Sequence, residues 1–74
     1  MRIGGHEPTL SETELLILRA LARGHQSKEI AAELERSRAT IEFYIRMLYA
    51  KLHARSRAHL VARAFEIGLI RALS

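Results

Sequence analysis

The chemistry this chain can do is carried by its charged side chains. Ten of the twelve basic residues are arginine, and all eight acidic residues are glutamate. Residues 1–35 hold four basic residues and six glutamates, a net of −2; residues 36–74 hold eight basic residues and two glutamates, a net of +6. A basic half is the electrostatic footprint of a polyanionic partner. The forked guanidinium suits phosphate or guanine better than a lysine ammonium does. An arginine-rich solvated surface is the plainer alternative.

Other chemistries are poorly supplied. There is no cysteine, which removes disulfides and thiolate metal sites, and no aspartate. His6, His25, His53 and His59 are scattered without ligand spacing. No glycine-rich phosphate loop and no nucleophile–base pair is recognisable. The expectation is a protein that is not an enzyme, with no metal, no cofactor and no small-molecule ligand.

The stretch "TIEFYIRMLYAKL", residues 40–52, shows two distinct sides. At about 100° per residue, Ile41, Ile45, Leu48 and Leu52 share one side, with Tyr44 at its edge. Ala39, Phe43, Arg46 and Ala50 share the opposite side, flanked by Glu42 and Met47. Small residues at 39 and 50 let a backbone approach a groove. Arg46 can fork onto guanine O6 and N7, Phe43 can touch a thymine methyl, and Glu42 can accept from cytosine N4. Ala39, Glu42, Phe43, Arg46 and Met47 are therefore the candidate base-reading residues. Each has a plainer alternative: Phe43 as a protein contact, Glu42 as an ion-pair partner of Arg46 four residues on.

Candidate phosphate contacts sit at helix starts, where free N–H groups and the helix dipole attract anions. Ser27 and Lys28 open one helix, and Arg38 and Thr40 open the next. Lys51 and Arg57 are further candidates, with an internal ion pair to Glu14 as the alternative for one of them.

The elements that must position these residues are all helical. With 74 residues, 49% of them hydrophobic, the chain has enough for one small domain and a modest core. Residues 1–9, "MRIGGHEPT", are expected to form a flexible arm, and residues 10–74 the folded domain. In "LSETEL", Ser11 and Glu14 have the spacing of a capping box, and Leu10 and Leu15 that of a hydrophobic staple. The first helix should run to about Gly24. Leu15, Leu16, Ile17, Leu18, Ala20, Leu21 and Ala22 make it apolar nearly all round, so heavy burial is expected. A short second helix is expected from Ser27 to Glu35, packed through Ile30, Ala31 and Leu34. A third, capped by Ser37, should run to about Leu52. A fourth, capped by Ser56, turns Leu60, Val61, Ala64 and Phe65 inward and stops near Gly68, with Leu69 and Ile70 folding back. No apolar run approaches a membrane span and no signal-peptide core is visible, so a cytoplasmic location is expected. The short-helix, turn, longer-helix order of the second and third helices is a helix-turn-helix candidate.

Residues 10–70, "LSETELLILRALARGHQSKEIAAELERSRATIEFYIRMLYAKLHARSRAHLVARAFEIGLI", resemble the LuxR-type (GerE-like) helix-turn-helix domain of bacterial transcription regulators. The matching pieces are "LSETE" opening the first helix, Gly24 closing it and "KEIAAEL" on the second. "S" and "TI" open the third, "KL" ends it, and "SR", "A" and "GLI" follow in the fourth. The resemblance implies an all-α, compact four-helix domain whose third helix enters the major groove of double-stranded DNA. It implies a homodimer through the fourth helix, where His59, Ala62, Arg63 and Glu66 are the candidate contacts, and makes RNA polymerase a further candidate partner. The chain departs from the family pattern at His25, Gln26, Arg36, Glu42 and Tyr44. Two alternatives stay open: a protein-interaction module on the same scaffold, docking through Phe43, Tyr44 and Met47, and a promoter-binding domain like region 4 of sigma factors, which shares "KEIA…L…S…TI".

Overall fold

The computed structural model describes residues 9–71. Most of the arm expected over residues 1–9, and residues 72–74 of the expected domain, lie outside the described residues. Four helices follow in order: α1 (Glu12–Ala22), α2 (Ser27–Leu34), α3 (Arg38–Leu52) and α4 (Arg57–Glu66), with no strand among the described residues.

Each helix begins at a local hydrogen bond that satisfies one of the N–H groups left open at its start. Ser11 Oγ accepts from the Glu14 N–H at 3.1 Å, and Glu14 Oε1 accepts from the Ser11 N–H at 2.9 Å, which completes the capping box. At α2 the side chain of Gln26 makes no cap bond, but Glu29 reaches back to the Gln26 N–H at 2.7 Å. Ser37 Oγ accepts from the Thr40 N–H at 3.0 Å, and Ser56 Oγ from the His59 N–H at 3.1 Å.

All four helices stop by the same device. The N–H two residues past the last turn folds back to a carbonyl five residues earlier: His25 to Ala20, Arg36 to Ala31, Ala54 to Tyr49 and Leu69 to Ala64, at 2.9–3.0 Å. The residue before it takes a left-handed conformation. At Gly24 (φ 93°) and Gly68 (φ 80°) that is free of side-chain strain. At Glu35 (φ 57°) and His53 (φ 56°) a Cβ is forced into the same region at a cost.

The core lies where α1, α3 and α4 meet, closed by α2 packing on α3. Ile17, Leu18, Ile30, Ile41, Leu48, Leu52 and Leu60 are fully enclosed, and Ile70 folds back onto them. Ile45, Tyr44, Tyr49 and Val61 pack against this cluster from its edge. Two expectations need correction. Leu16 is 44% exposed, because α1 has neighbours on only part of its circumference. Phe65, expected inward, is 40% exposed: Leu60 and Ala64 take the inner face of α4, and Phe65 follows them round to its border.

Candidate nucleic-acid interface

Enclosure of Ile41, Leu48 and Leu52 fixes the rotation of α3, so the opposite side is turned outward. Ala39, Phe43, Arg46, Met47 and Ala50 are all exposed, with Phe43 at 51%. Arg46 has no hydrogen-bond or ion-pair partner among the described residues. Along the exposed side of α3 it lies between Phe43, three residues before, and Ala50, four residues after. Tyr44 is half-buried against the core, and its ring meets that of Phe43 edge-on at 6.1 Å and 68°. Phe43 is thus propped from one side while its other side stays open.

Glu42 does form an ion pair within the helix, but with Arg38 and not with Arg46. Its Oε2 accepts from Arg38 Nε at 3.2 Å. Both groups are well exposed, which makes this a weak surface pair that a stronger anion can displace.

The helix starts sit as the sequence suggests. Ser27 and Lys28 begin α2 and Arg38 begins α3. Lys28 is exposed and has no partner among the described residues. Thr40 Oγ1 accepts from Ser37 Oγ at 2.9 Å, and the Thr40 N–H is used by the cap. The N–H groups of Arg38 and Ala39 precede any carbonyl within the helix and remain for a ligand. Arg36, one of the positions where the chain departs from the pattern of the family it resembles, is exposed.

Lys51 and Arg57 are engaged internally. Lys51 Nζ lies 2.9 Å from both carboxylate oxygens of Glu14, whose side chain is only 8% exposed. Burial by itself would raise the Glu14 carboxyl. The Ser11 N–H, the Lys51 hydrogen bonds and the Lys51 charge outweigh that and hold it below its ordinary value. Arg57 donates to the carbonyls of Leu21, at 3.1 Å, and His25. These bonds tie α3 and α4 to α1, and the internal pair with Glu14, the alternative the sequence left open for one of the two, is made by Lys51.

On α4 the candidate dimer residues divide in the same way. Arg63 donates to the Leu52 carbonyl at the end of α3 and pairs with Glu66 at 3.1 Å. His59 Nδ1 accepts from the Arg55 N–H at 3.0 Å. Ala62 and Glu66 are exposed. Sequence reasoning missed the bonds of Arg57 and Arg63 to helix-end carbonyls, because no side-chain pattern marks a carbonyl acceptor. It also missed the environment of His25, whose buried Nδ1 lies 3.4 Å from Glu33 Oε2 without hydrogen-bond geometry.

Among the described residues no group of His, Glu or Asp could hold a metal ion, and no helix is long and apolar enough to cross a membrane.

Comparison with known proteins gives a consistent result. The family model for bacterial regulatory proteins of the luxR family matches residues 8–64. The chain is 37% identical, over 65 residues and 88% of its length, to the transcriptional regulatory protein YdfI of Bacillus subtilis. Over 48 residues, 65% of its length, it is 46% identical to the nitrate/nitrite response regulator protein NarP of Escherichia coli. The matched stretches are 30% and 22% of those two proteins, so the chain spans less than a third of the length of either relative.

Proposed function

The chain belongs to the LuxR family of bacterial regulatory proteins, and from that premise we propose that it binds DNA sequence-specifically, laying α3 in the major groove. The observation that carries this reading is the outward face of α3: an unpartnered Arg46 with Ala39 and Ala50 beside it and Phe43 and Met47 exposed. Arg46 takes a guanine or a phosphate, Phe43 and Met47 supply apolar contact, and Ala39 and Ala50 let the helix sit close. Ser27, Lys28, Arg38 and Thr40 position the domain on the backbone and carry no sequence information themselves.

Glu42 and Arg38 work as a unit in this reading. A phosphate oxygen competes for Arg38, and the carboxylate it releases is then aimed at a base edge. A cytosine N4 amino group satisfies that carboxylate, whereas an acceptor-bearing edge leaves it unpaired. Dimerisation on adjacent half-sites would use α4 around Ala62 and Glu66, which are exposed, with the half-buried His59 and Arg63 at its border. RNA polymerase is a protein partner consistent with a role in transcription, and a cytoplasmic location follows from a DNA partner.

A second reading is favoured by the exposure of Phe43 and Met47, which would equally serve a protein partner. Arg46→Ala separates the two. Titration of the purified chain into a selected duplex should show specific affinity falling by about tenfold or more, the loss of one bidentate contact. Undiminished specific binding by the variant would remove Arg46 from the reading face, and no salt-sensitive binding by the parent chain would overturn the DNA reading in favour of the second.

A further inference from the structure

The structure points to a second binding surface, remote from the helix-turn-helix. A cleft of about 520 Å³ opens between the C-terminal end of α1 and the segment following α4. It is lined by Arg19, Ala22, Arg23, Phe65, Leu69 and Ile70, with Arg71 completing the wall. None of these residues belongs to α2 or α3.

Two features of the lining define its ligand. Arg19 and Arg23 stand one turn apart, are exposed, and have no hydrogen-bond or ion-pair partner among the described residues. Between them and the tail lies an apolar surface: Phe65 is 40% exposed and Leu69 half-buried. Unpaired guanidinium groups beside an open aromatic ring suit a ligand that is both acidic and apolar. The C-terminal end of α1 does not attract an anion, so the attraction must come from the arginines.

We propose that this cleft docks an acidic segment of a protein partner, with glutamate or aspartate side chains on Arg19 and Arg23 and an apolar side chain against Phe65 and Leu69. A nucleic-acid backbone suits it less well, because Phe65, Leu69 and Ile70 offer no donors to phosphate oxygens. A second copy of this chain also suits it less well, because a two-fold contact through this face would gather Arg19 and Arg23 of both copies into one interface. The cleft lies outside α3, so the partner and DNA can be held together. The proposal does not depend on the DNA reading.

The probe is a fluorescein-labelled peptide in which glutamates flank a phenylalanine and a leucine, titrated with the full chain and followed by anisotropy. Saturable binding is expected, weakened about tenfold or more in the double variant Arg19→Glu, Arg23→Glu and unchanged in Arg46→Ala. A duplex that binds the chain should not displace the peptide. Amide NMR shifts should move at Ala22, Phe65 and Leu69. Should the double reversal unfold the chain, the single variants Arg23→Gln and Phe65→Ser, both at exposed positions, make the same comparison. The proposal is overturned by absence of saturable binding, by equal binding in folded variants, by displacement with duplex DNA, or by a dimer in sedimentation that the double variant Arg19→Glu, Arg23→Glu abolishes.

Discussion

The two ends of α3 are built on opposite terms. Its C-terminal end is tied to α1 and α4: Lys51 reaches the buried carboxylate of Glu14 on α1, and the Leu52 carbonyl takes Arg63 from α4. Its N-terminal end carries a pair of the same charges, Arg38 and Glu42, but that pair is exposed and closed within the helix. Side chains of α3 thus enter two glutamate–cation pairs at hydrogen-bond distance, with different consequences. At the C-terminal end the pair is partly desolvated and spans 37 residues of sequence, so it fixes helix against helix. At the N-terminal end it is solvated and local, so it holds a reading face ready at little energetic cost. A helix that must dock accurately and still exchange partners is served by a fixed end and an open one.

The contrast breaks most directly at the fixed end. Glu14→Gln should cost about 2 kcal/mol in urea or thermal unfolding, since it leaves the Lys51 ammonium facing a neutral amide in a partly buried site. A loss as small as that of an exposed pair would erase the distinction. The same pair sets a pH dependence. The folded-state carboxyl of Glu14 is held below its ordinary value of 4.5. Its contribution is therefore complete above that pH and is lost as pH falls through the lowered value. Stability measured against pH should fall over this acid range more steeply for the parent chain than for Glu14→Gln.

A smaller effect is expected just beyond the fixed end. His53 ends α3 with φ 56°, where glycine carries no strain, and an added Cβ at this kind of turn is its main burden. His53→Gly should stabilise the fold by about 0.5–1 kcal/mol. Unchanged or reduced stability would mean that the imidazole makes a contact worth more than the strain.

The smallest change in stability is expected at the open end. Glu42→Gln should move it by no more than about 0.5 kcal/mol. The same substitution should raise affinity for unselected DNA and blunt discrimination for cytosine at one position. Comparing selected sequences from the two proteins measures this. Identical selections would reassign Glu42 to a purely electrostatic role.

What the sequence made legible follows from how far its signals reach. The capping box of Ser11 and Glu14, the caps at Ser37 and Ser56, and the stops at Gly24 and Gly68 involve groups only a few residues apart, and spacing alone implies them. The inner stripe of α3 was equally plain, because three fully enclosed aliphatics recur at helical period. Legibility ended where helices meet. Lys51, Arg57 and Arg63 look on paper like the free cations Lys28 and Arg46. A pair of Glu14 with Lys51 or Arg57 could be read as an alternative, but only the packing of α1, α3 and α4 selects Lys51 for it and brings Arg57 and Arg63 to helix-end carbonyls. Phe65 failed for a related reason: periodicity gives a helix its apolar side, but the neighbours decide how wide a side is covered. For the interface, the outward placement of Ala39, Phe43, Arg46 and Met47 could be read from sequence, whereas the partner of Glu42 could not.

The bonds from Arg57 to the Leu21 and His25 carbonyls have a consequence for the order of assembly. Those two acceptors point at a common spot only once the turn at Gly24 has closed, since His25 is itself fixed by its N–H bond back to Ala20. The first helix-end must therefore exist before the start of α4 has anything to grip. A closure of more than thirty residues, ending on a receptor made of main chain, is favoured only late in folding, when local turns have already formed. The arginine that fastens the last helix would thus act as a latch against unfolding, slowing the escape of α4 without hastening its arrival.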